Sequence, residues 1–228
     1  MEQVIVGDGS EEETRMLLRE LGFLKLGGLP KLTRFCTCDL IECPALEELQ
    51  IKNCPALMTF VSSSASESNA SSSELQIMNS TLFDEKVLFP NLENLQLTCA
   101  HKLENIWNDE LQVDSFCRLK VLKVEHGKEL LKVFPSKQLL RFKNLERLMV
   151  NDCNLVEEVF DLQVLMKIQE ETDVAATTET QLRYFNVTEL PNLKNMVAGW
   201  RKLLPKRKEQ KQLLSLHLVD SSAYTFGD

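Results

Sequence analysis

The stretch LENLQLTCAHKLENIW, from Leu92 to Trp107, decides how the chain is read. With Leu92 as offset zero, apolar residues fall at offsets 0, 3, 5, 8, 11, 14 and 15: Leu92, Leu95, Leu97, Ala100, Leu103, Ile106 and Trp107. The same offsets counted from Leu119 select Leu122, Val124, Gly127, Leu130, Val133 and Phe134, and from Leu145 they select Leu148, Val150, Cys153, Val156, Val159 and Phe160. Copies also start at Leu21, Leu46 and Leu182. Six copies of seven positions give 42 slots, and only Gly127 is not apolar, whereas an apolar content of 43% would fill about 18 of them. Pro30, Pro55 and Pro191 share offset 9, where a residue without an amide hydrogen belongs just past a strand.

Offsets 0 to 8 read L-x-x-L-x-L-x-x-(C/A/L), the core pattern of a leucine-rich repeat. Offsets 3 and 5 differ by two, so both side chains point to one face of a short strand. A single unit is too small to bury that face, and stacking buries it against the neighbouring units. The expected fold class is therefore α/β: a leucine-rich-repeat solenoid, or horseshoe, with a curved parallel β-sheet on the concave side and irregular or short helical returns. Successive starts lie 25, 46, 27, 26 and 37 residues apart. The two long intervals hold insertions, a serine-rich one over Ser62–Thr81 and a second over Asp161–Thr180. This gives an N-terminal segment over 1–20, an array over 21–200 and a basic, degraded repeat or tail over 201–228. Ser10 followed by Glu13 has capping-box spacing and marks Glu11–Glu20 as a candidate short helix. After Trp200 the period breaks, and a degraded seventh copy is read from Leu213.

The bulk properties narrow the function. A formal charge of -8 disfavours a phosphate backbone as partner, and an aromatic content of 7% disfavours a base-stacking platform. No apolar leader follows Met1 and no apolar run is long enough to span a bilayer, so the expectation is a cytoplasmic protein, with the basic run Pro205–Lys208 as a candidate nuclear signal. Cys36, Cys38 and Cys43 form a C-x-C-x4-C pattern without a nearby histidine. A structural zinc site wants four ligands, so these cysteines read as packing residues. The histidines His101, His126 and His217 occupy different offsets with no repeated partner. No catalytic residue, metal ligand or cofactor is expected.

The wording of the repeats goes beyond the bare period. LPKLTRFC (Leu29–Cys36), CPALEELQIKNCPALMTF (Cys43–Phe60), FPNLENLQL (Phe89–Leu97), DSFCRLKVLKVEHGKELLKVFPS (Asp114–Ser136), NLERLMVNDC (Asn144–Cys153) and VEEVFDL (Val156–Leu162) carry it. They resemble the C-terminal leucine-rich-repeat region of plant intracellular disease-resistance proteins of the coiled-coil, nucleotide-binding type (NB-LRR), over roughly Leu21 to Val197, with the stretch after Trp200 departing from it. The resemblance implies innate immunity: sensing of a pathogen effector or a guarded host protein, and contact with a nucleotide-binding domain. The chain has no G-x-x-x-x-G-K-[ST] phosphate loop. It is accordingly expected to be a fragment or truncated form of such a receptor. A substrate adaptor for ubiquitin ligation and a non-functional remnant are the alternative readings.

The expected binding surface follows from the strand period. Offsets 2, 4 and 6 alternate with the buried leucines and face outward. They hold Glu48, Gln50 and Lys52; Asn94, Gln96 and Thr98; Val121, Lys123 and Glu125; Arg147, Met149 and Asn151; Tyr184, Asn186 and Thr188; the first unit adds Phe23, Lys25 and Gly27. Arg147, Met149 and Tyr184 stand out, because such side chains often anchor interfaces.

Overall fold

A computed structural model describes residues 2–6 (backbone only), 15–62, 80–134, 141–160 and 181–194. The described strands are, in chain order, β1 (Glu2–Val6), β2 (Arg15–Leu17), β3 (Phe23–Gly27), β4 (Leu32–Thr37), β5 (Leu40–Glu42), β6 (Glu48–Lys52), β7 (Thr59–Ser62) and β8 (Thr81–Phe83). They continue with β9 (Val87–Leu88), β10 (Asn94–Thr98), β11 (Asn105–Trp107), β12 (Val121–Glu125), β13 (Lys132–Phe134), β14 (Arg147–Asn151), β15 (Glu158–Phe160) and β16 (Tyr184–Thr188). Six of them, β3-β6-β10-β12-β14-β16, form one all-parallel sheet, and each is the offset 2 to 6 stretch of one repeat. Register is constant throughout: Leu24, Leu49, Leu95, Leu122, Leu148 and Phe185 lie side by side. The period-2 alternation predicts this arrangement, because a one-residue slip would turn every leucine out of the core.

The returns differ from the expectation. Instead of irregular or helical connections, they form further short parallel strands, in sheets β1-β4-β7, β8-β11-β13-β15 and β2-β5-β9. β-branched and aromatic residues at these positions, as in Lys132-Val133-Phe134 and Glu158-Val159-Phe160, favour extended backbone. Within the described part of the Glu11–Glu20 helix candidate, residues 15–20, Arg15–Leu17 is a strand paired to β5 and a turn follows it; Ser10 and Glu13 lie outside the described residues. So do most of the serine-rich insertion, all of Asp161–Thr180 and everything after residue 194. Ser62 and Thr81, the ends of the first insertion, belong to β7 and β8. β8 sits beside β11 with Phe83 opposite Trp107, so it is a return strand that has no strand of its own in the six-stranded sheet. Among the described residues no α-helix is present, and none is long and apolar enough to cross a membrane.

A backbone feature recurs that the apolar pattern does not reveal. The residue at offset 7 has a positive φ in all six repeats: Gly28 (67°), Asn53 (56°), Cys99 (56°), His126 (57°), Asp152 (50°) and Glu189 (55°). This left-handed turn ends the strand and aims the offset 7 amide along the stack. Gly28, Asn53, Cys99, His126 and Asp152 each donate to the offset 6 carbonyl of the next repeat at 2.9–3.1 Å. At the start of each strand one carbonyl takes two donors; that of Glu93, for example, accepts the amides of Lys120 (2.8 Å) and Val121 (2.9 Å). Offset 12 makes a third ladder, with Leu131 donating to Glu104 (3.0 Å) and Glu157 to Leu131 (3.1 Å).

The core fills the space enclosed by these ladders. All seven apolar slots are buried in the repeats that start at Leu46 and Leu92. A second buried series stands three residues before offset zero: Cys43, Phe89, Phe116 and Phe142. Its rings interlock with those at offsets 14 and 15, with Trp107 4.8 Å from Phe116 and 4.9 Å from Phe142, and Phe134 stacked on Phe160 at 5.4 Å. Offset 8 takes Cys54 and Cys153 as small apolar groups, and burial pushes the Cys153 thiol up to about 11. Gly127, the one non-apolar slot, has a physical reason. A Cβ there would stand 3.3 Å from the Cys153 sulfur and 3.4 Å from Leu130 Cβ.

Ser115, fully buried, ties two successive repeats together: its Oγ accepts the Phe89 amide at 3.0 Å. Ser115→Ala leaves that amide buried without a partner and should lower stability by about 1–3 kcal/mol, read as a shift in the denaturant midpoint at constant slope. At Gly28 an added Cβ would meet nothing within 4 Å, so only the left-handed backbone opposes it. Gly28→Val should therefore cost about 1–2 kcal/mol, and Cys99→Asn, which puts a residue tolerant of this conformation at the same offset, should raise stability by a few tenths to about 1 kcal/mol in the same assay.

Candidate functional site

The constant register turns the outward positions into a grid. Offset 2 runs Phe23, Glu48, Asn94, Val121, Arg147, Tyr184 across the six strands. Offset 4 runs Lys25, Gln50, Gln96, Lys123, Met149, Asn186, and offset 6 runs Gly27, Lys52, Thr98, Glu125, Asn151, Thr188. Every outward residue predicted from the sequence thus lies on one face, in three rows roughly 4.8 Å from strand to strand. On β6, β10, β12 and β16 these residues are half-buried, since each leans on its neighbours in the rows; Phe23, Lys25 and Gly27 on the edge strand β3, and Arg147, are exposed.

The side chains of the grid are laced together. Gln50 donates to Glu48 Oε1 at 2.5 Å, and Gln96 reaches the same oxygen at 3.5 Å. Thr188 Oγ1 donates to Asn151 Oδ1 at 2.8 Å, Asn151 Nδ2 to Glu125 Oε1 at 3.4 Å, and Lys123 Nζ pairs with Glu125 Oε2 at 2.8 Å. The Arg147 guanidinium lies over the Tyr184 ring, 5.2 Å from its centroid, and Asn186 Nδ2 donates to the Tyr184 hydroxyl at 3.3 Å. Met149 stands beside Asn186 in the same corner. Arg147, Met149 and Tyr184, read separately in the sequence, are therefore neighbours over two adjacent strands. The rotamers of Arg147 and Tyr184 are restrained by stacking and hydrogen bonding, which lowers the entropy a partner would have to remove on docking.

Both carboxylates of the grid, Glu48 and Glu125, are engaged within it, while its cations number four: Lys25, Lys52, Lys123 and Arg147. The face is thus basic on a chain whose formal charge is -8. Beside it runs the left-handed row, in which His126 Nδ1 contacts Asp152 Oδ2 at 2.6 Å. Sequence reasoning missed this row as a bordering feature. The signal was present in Gly28, Asn53, His126 and Asp152, residue types that tolerate positive φ, all at one offset.

The face combines cationic, amide, thioether and aromatic groups. Among the described residues no group of three or more His, Cys, Asp or Glu side chains stands where it could hold a metal ion. A narrow apolar gap lined by Leu97, Ala100, Leu103, Ile106, Val124 and Leu130 lies between the small offset 8 residues Ala100 and Gly127, as a packing gap of the core.

Comparison with known families gives one match, to the leucine-rich repeats described as plant disease resistance protein RPS2-like, over residues 91–221. The match begins one residue before offset zero of the Leu92 repeat and runs past Trp200. This corrects the expectation that the chain leaves the family there. The two repeats before residue 91 carry the same offsets and share the register of the matched ones. No curated protein matches the chain, and no solved structure does. With more than half of its length matched and its parallel strands set at the repeat period, the chain belongs to the RPS2-like leucine-rich repeats of plant disease resistance proteins.

Proposed function

We propose that the chain is the recognition part of a plant NB-LRR defence receptor, binding a protein through the outward face of its six-stranded sheet. The single observation that carries this reading is the grid. Eighteen outward positions stand in register on one continuous surface of varied chemistry, above a core that varies little from repeat to repeat. A ladder that fixes the inward residues leaves the outward ones free to be chosen for a partner. The partner is a pathogen effector, a guarded host protein or the nucleotide-binding domain of the receptor; the family match supports this class.

On this reading the chain works by binding alone and catalyses nothing, and the sheet curves with the grid on its concave side, so that a partner is embraced. The cytoplasm is its place of action. A reducing compartment suits seven cysteines that are all free thiols.

The Arg147, Met149 and Tyr184 corner is where binding energy concentrates, because rigid aromatic and arginine groups dominate interfaces. Replacing these three residues together with alanine should weaken binding of an effector, guarded protein or nucleotide-binding domain by about 30-fold or more, while circular dichroism keeps its β signature. Affinity is measured by titration calorimetry or surface plasmon resonance. Unchanged binding after replacement of all the offset 2, 4 and 6 residues would sink the assignment of this face.

A further inference from the structure

Cys36 and Cys38 occupy the corner where the chain leaves β4 for β5, and their sulfur atoms stand 3.1 Å apart. Both are buried, as is Cys43 at the far end of β5. Of the pair, only Cys36 has a place in the repeat pattern, at offset 15 of the first unit; the slots at this offset hold Val61, Trp107, Phe134 and Phe160 in later described units, none of them a thiol. Nothing in the packing of the array requires a second sulfur two residues on. Cys38 stands at the bend just past β4, which turns its side chain back toward Cys36 and brings the two sulfurs into contact.

We propose that Cys36 and Cys38 are a thiol pair that closes to a disulfide when the protein meets a hydroperoxide. The two sulfurs are chemically distinct. They share a hydrogen bond, the first cause of a Cys36 thiol held up and a Cys38 thiol lowered below its ordinary value; the Leu40 amide and the nearby Lys86 ammonium also lower Cys38, against burial and the Asp39 carboxylate. In the proposed step Cys38 acts as the nucleophile, and the disulfide formed is the same with the two roles exchanged. Its thiolate attacks a peroxide oxygen, the O–O bond breaks, and with a proton the leaving oxygen departs as water, giving a sulfenic acid. The Cys36 sulfur then attacks the Cys38 sulfur, the S–O bond breaks, and the hydroxyl leaves with the Cys36 proton as a second water. Two thiols are oxidised by two electrons, and one hydrogen peroxide is reduced to two waters. Cys43 is set apart: burial first, then the Glu42 carboxylate, push its thiol up to about 12, which disfavours the nucleophilic thiolate. Burial of the pair makes closure depend on local opening of the β4–β5 corner, so the end state, not the rate, is the diagnostic quantity.

Trypsin releases Phe35–Lys52 as one peptide that contains Cys36, Cys38 and Cys43 and no other lysine or arginine before its end. The full chain is treated with hydrogen peroxide under native conditions, then denatured, alkylated and digested. The expected peptide has lost two hydrogens and carries one alkyl group, and its fragment ions place the bond between Cys36 and Cys38. Cys43→Ala retains the loss, and Cys36→Ala and Cys38→Ala each abolish it. Full alkylation of all three cysteines, at a peroxide dose that oxidises the partly exposed Cys99 or Cys117, overturns the proposal; so does a bond to Cys43. Fragment ions of the wild-type peptide decide the matter even where a variant fails to fold.

Discussion

The structure depends on a backbone hydrogen-bond ladder kept in one register over six parallel strands. Each rung is modest on its own, about 1 kcal/mol net, but each fixes the height of the next repeat. The left-handed residue at offset 7 is what makes the rungs repeat. It ends every strand at the same place and presents an amide to the same carbonyl one repeat further on. Asn53, Cys99, His126 and Asp152 accept an unfavourable backbone conformation for that reason.

Register makes the two faces of the sheet answer to different demands. Inward, a leucine must meet a leucine, and the tolerance is small: at offset 8 the sulfur of Cys153 already crowds the space where a Gly127 side chain would stand. Outward, the rows accept phenylalanine, glutamate, lysine, methionine and tyrosine without disturbing the ladder, and the side chains settle into contacts such as Thr188 to Asn151 to Glu125. The basic, laced face on an acidic chain is a consequence of that freedom. A repeat-based recognition module is served by this separation of scaffold and surface.

The returns carry their own order. Extra strands in three further sheets close the backbone bonds that a loop would leave to water, and in the aromatic series Phe89 packs on Phe116, and Phe142 on Trp107 and Phe134. β8 shows how the array absorbs an irregularity. A return strand is added between β7 and β11 while the six-stranded sheet continues from β6 to β10 without a slip. Ser80 supports the join, its amide-level partner being Glu104, whose N–H reaches Ser80 Oγ at 3.0 Å and Ser80 O at 3.2 Å.

The sequence by itself determined the strands of the main sheet, their inward and outward faces and their number among the described residues. A two-residue alternation inside a fixed repeat allows no other way to bury Leu95 with Leu97 and Leu122 with Val124. It determined the list of outward residues for the same reason. The strands of the returns were not legible. Two or three extended residues such as Asn105–Trp107 gain their conformation from pairing with a neighbour 27 residues away, Asn105 opposite Lys132, and no local signal encodes that. The Arg147–Tyr184 stack and the lacing of the grid were decided by tertiary structure as well. Residues 37 positions apart become neighbours only after the insertion between them has been passed and the register has been fixed by the core beneath.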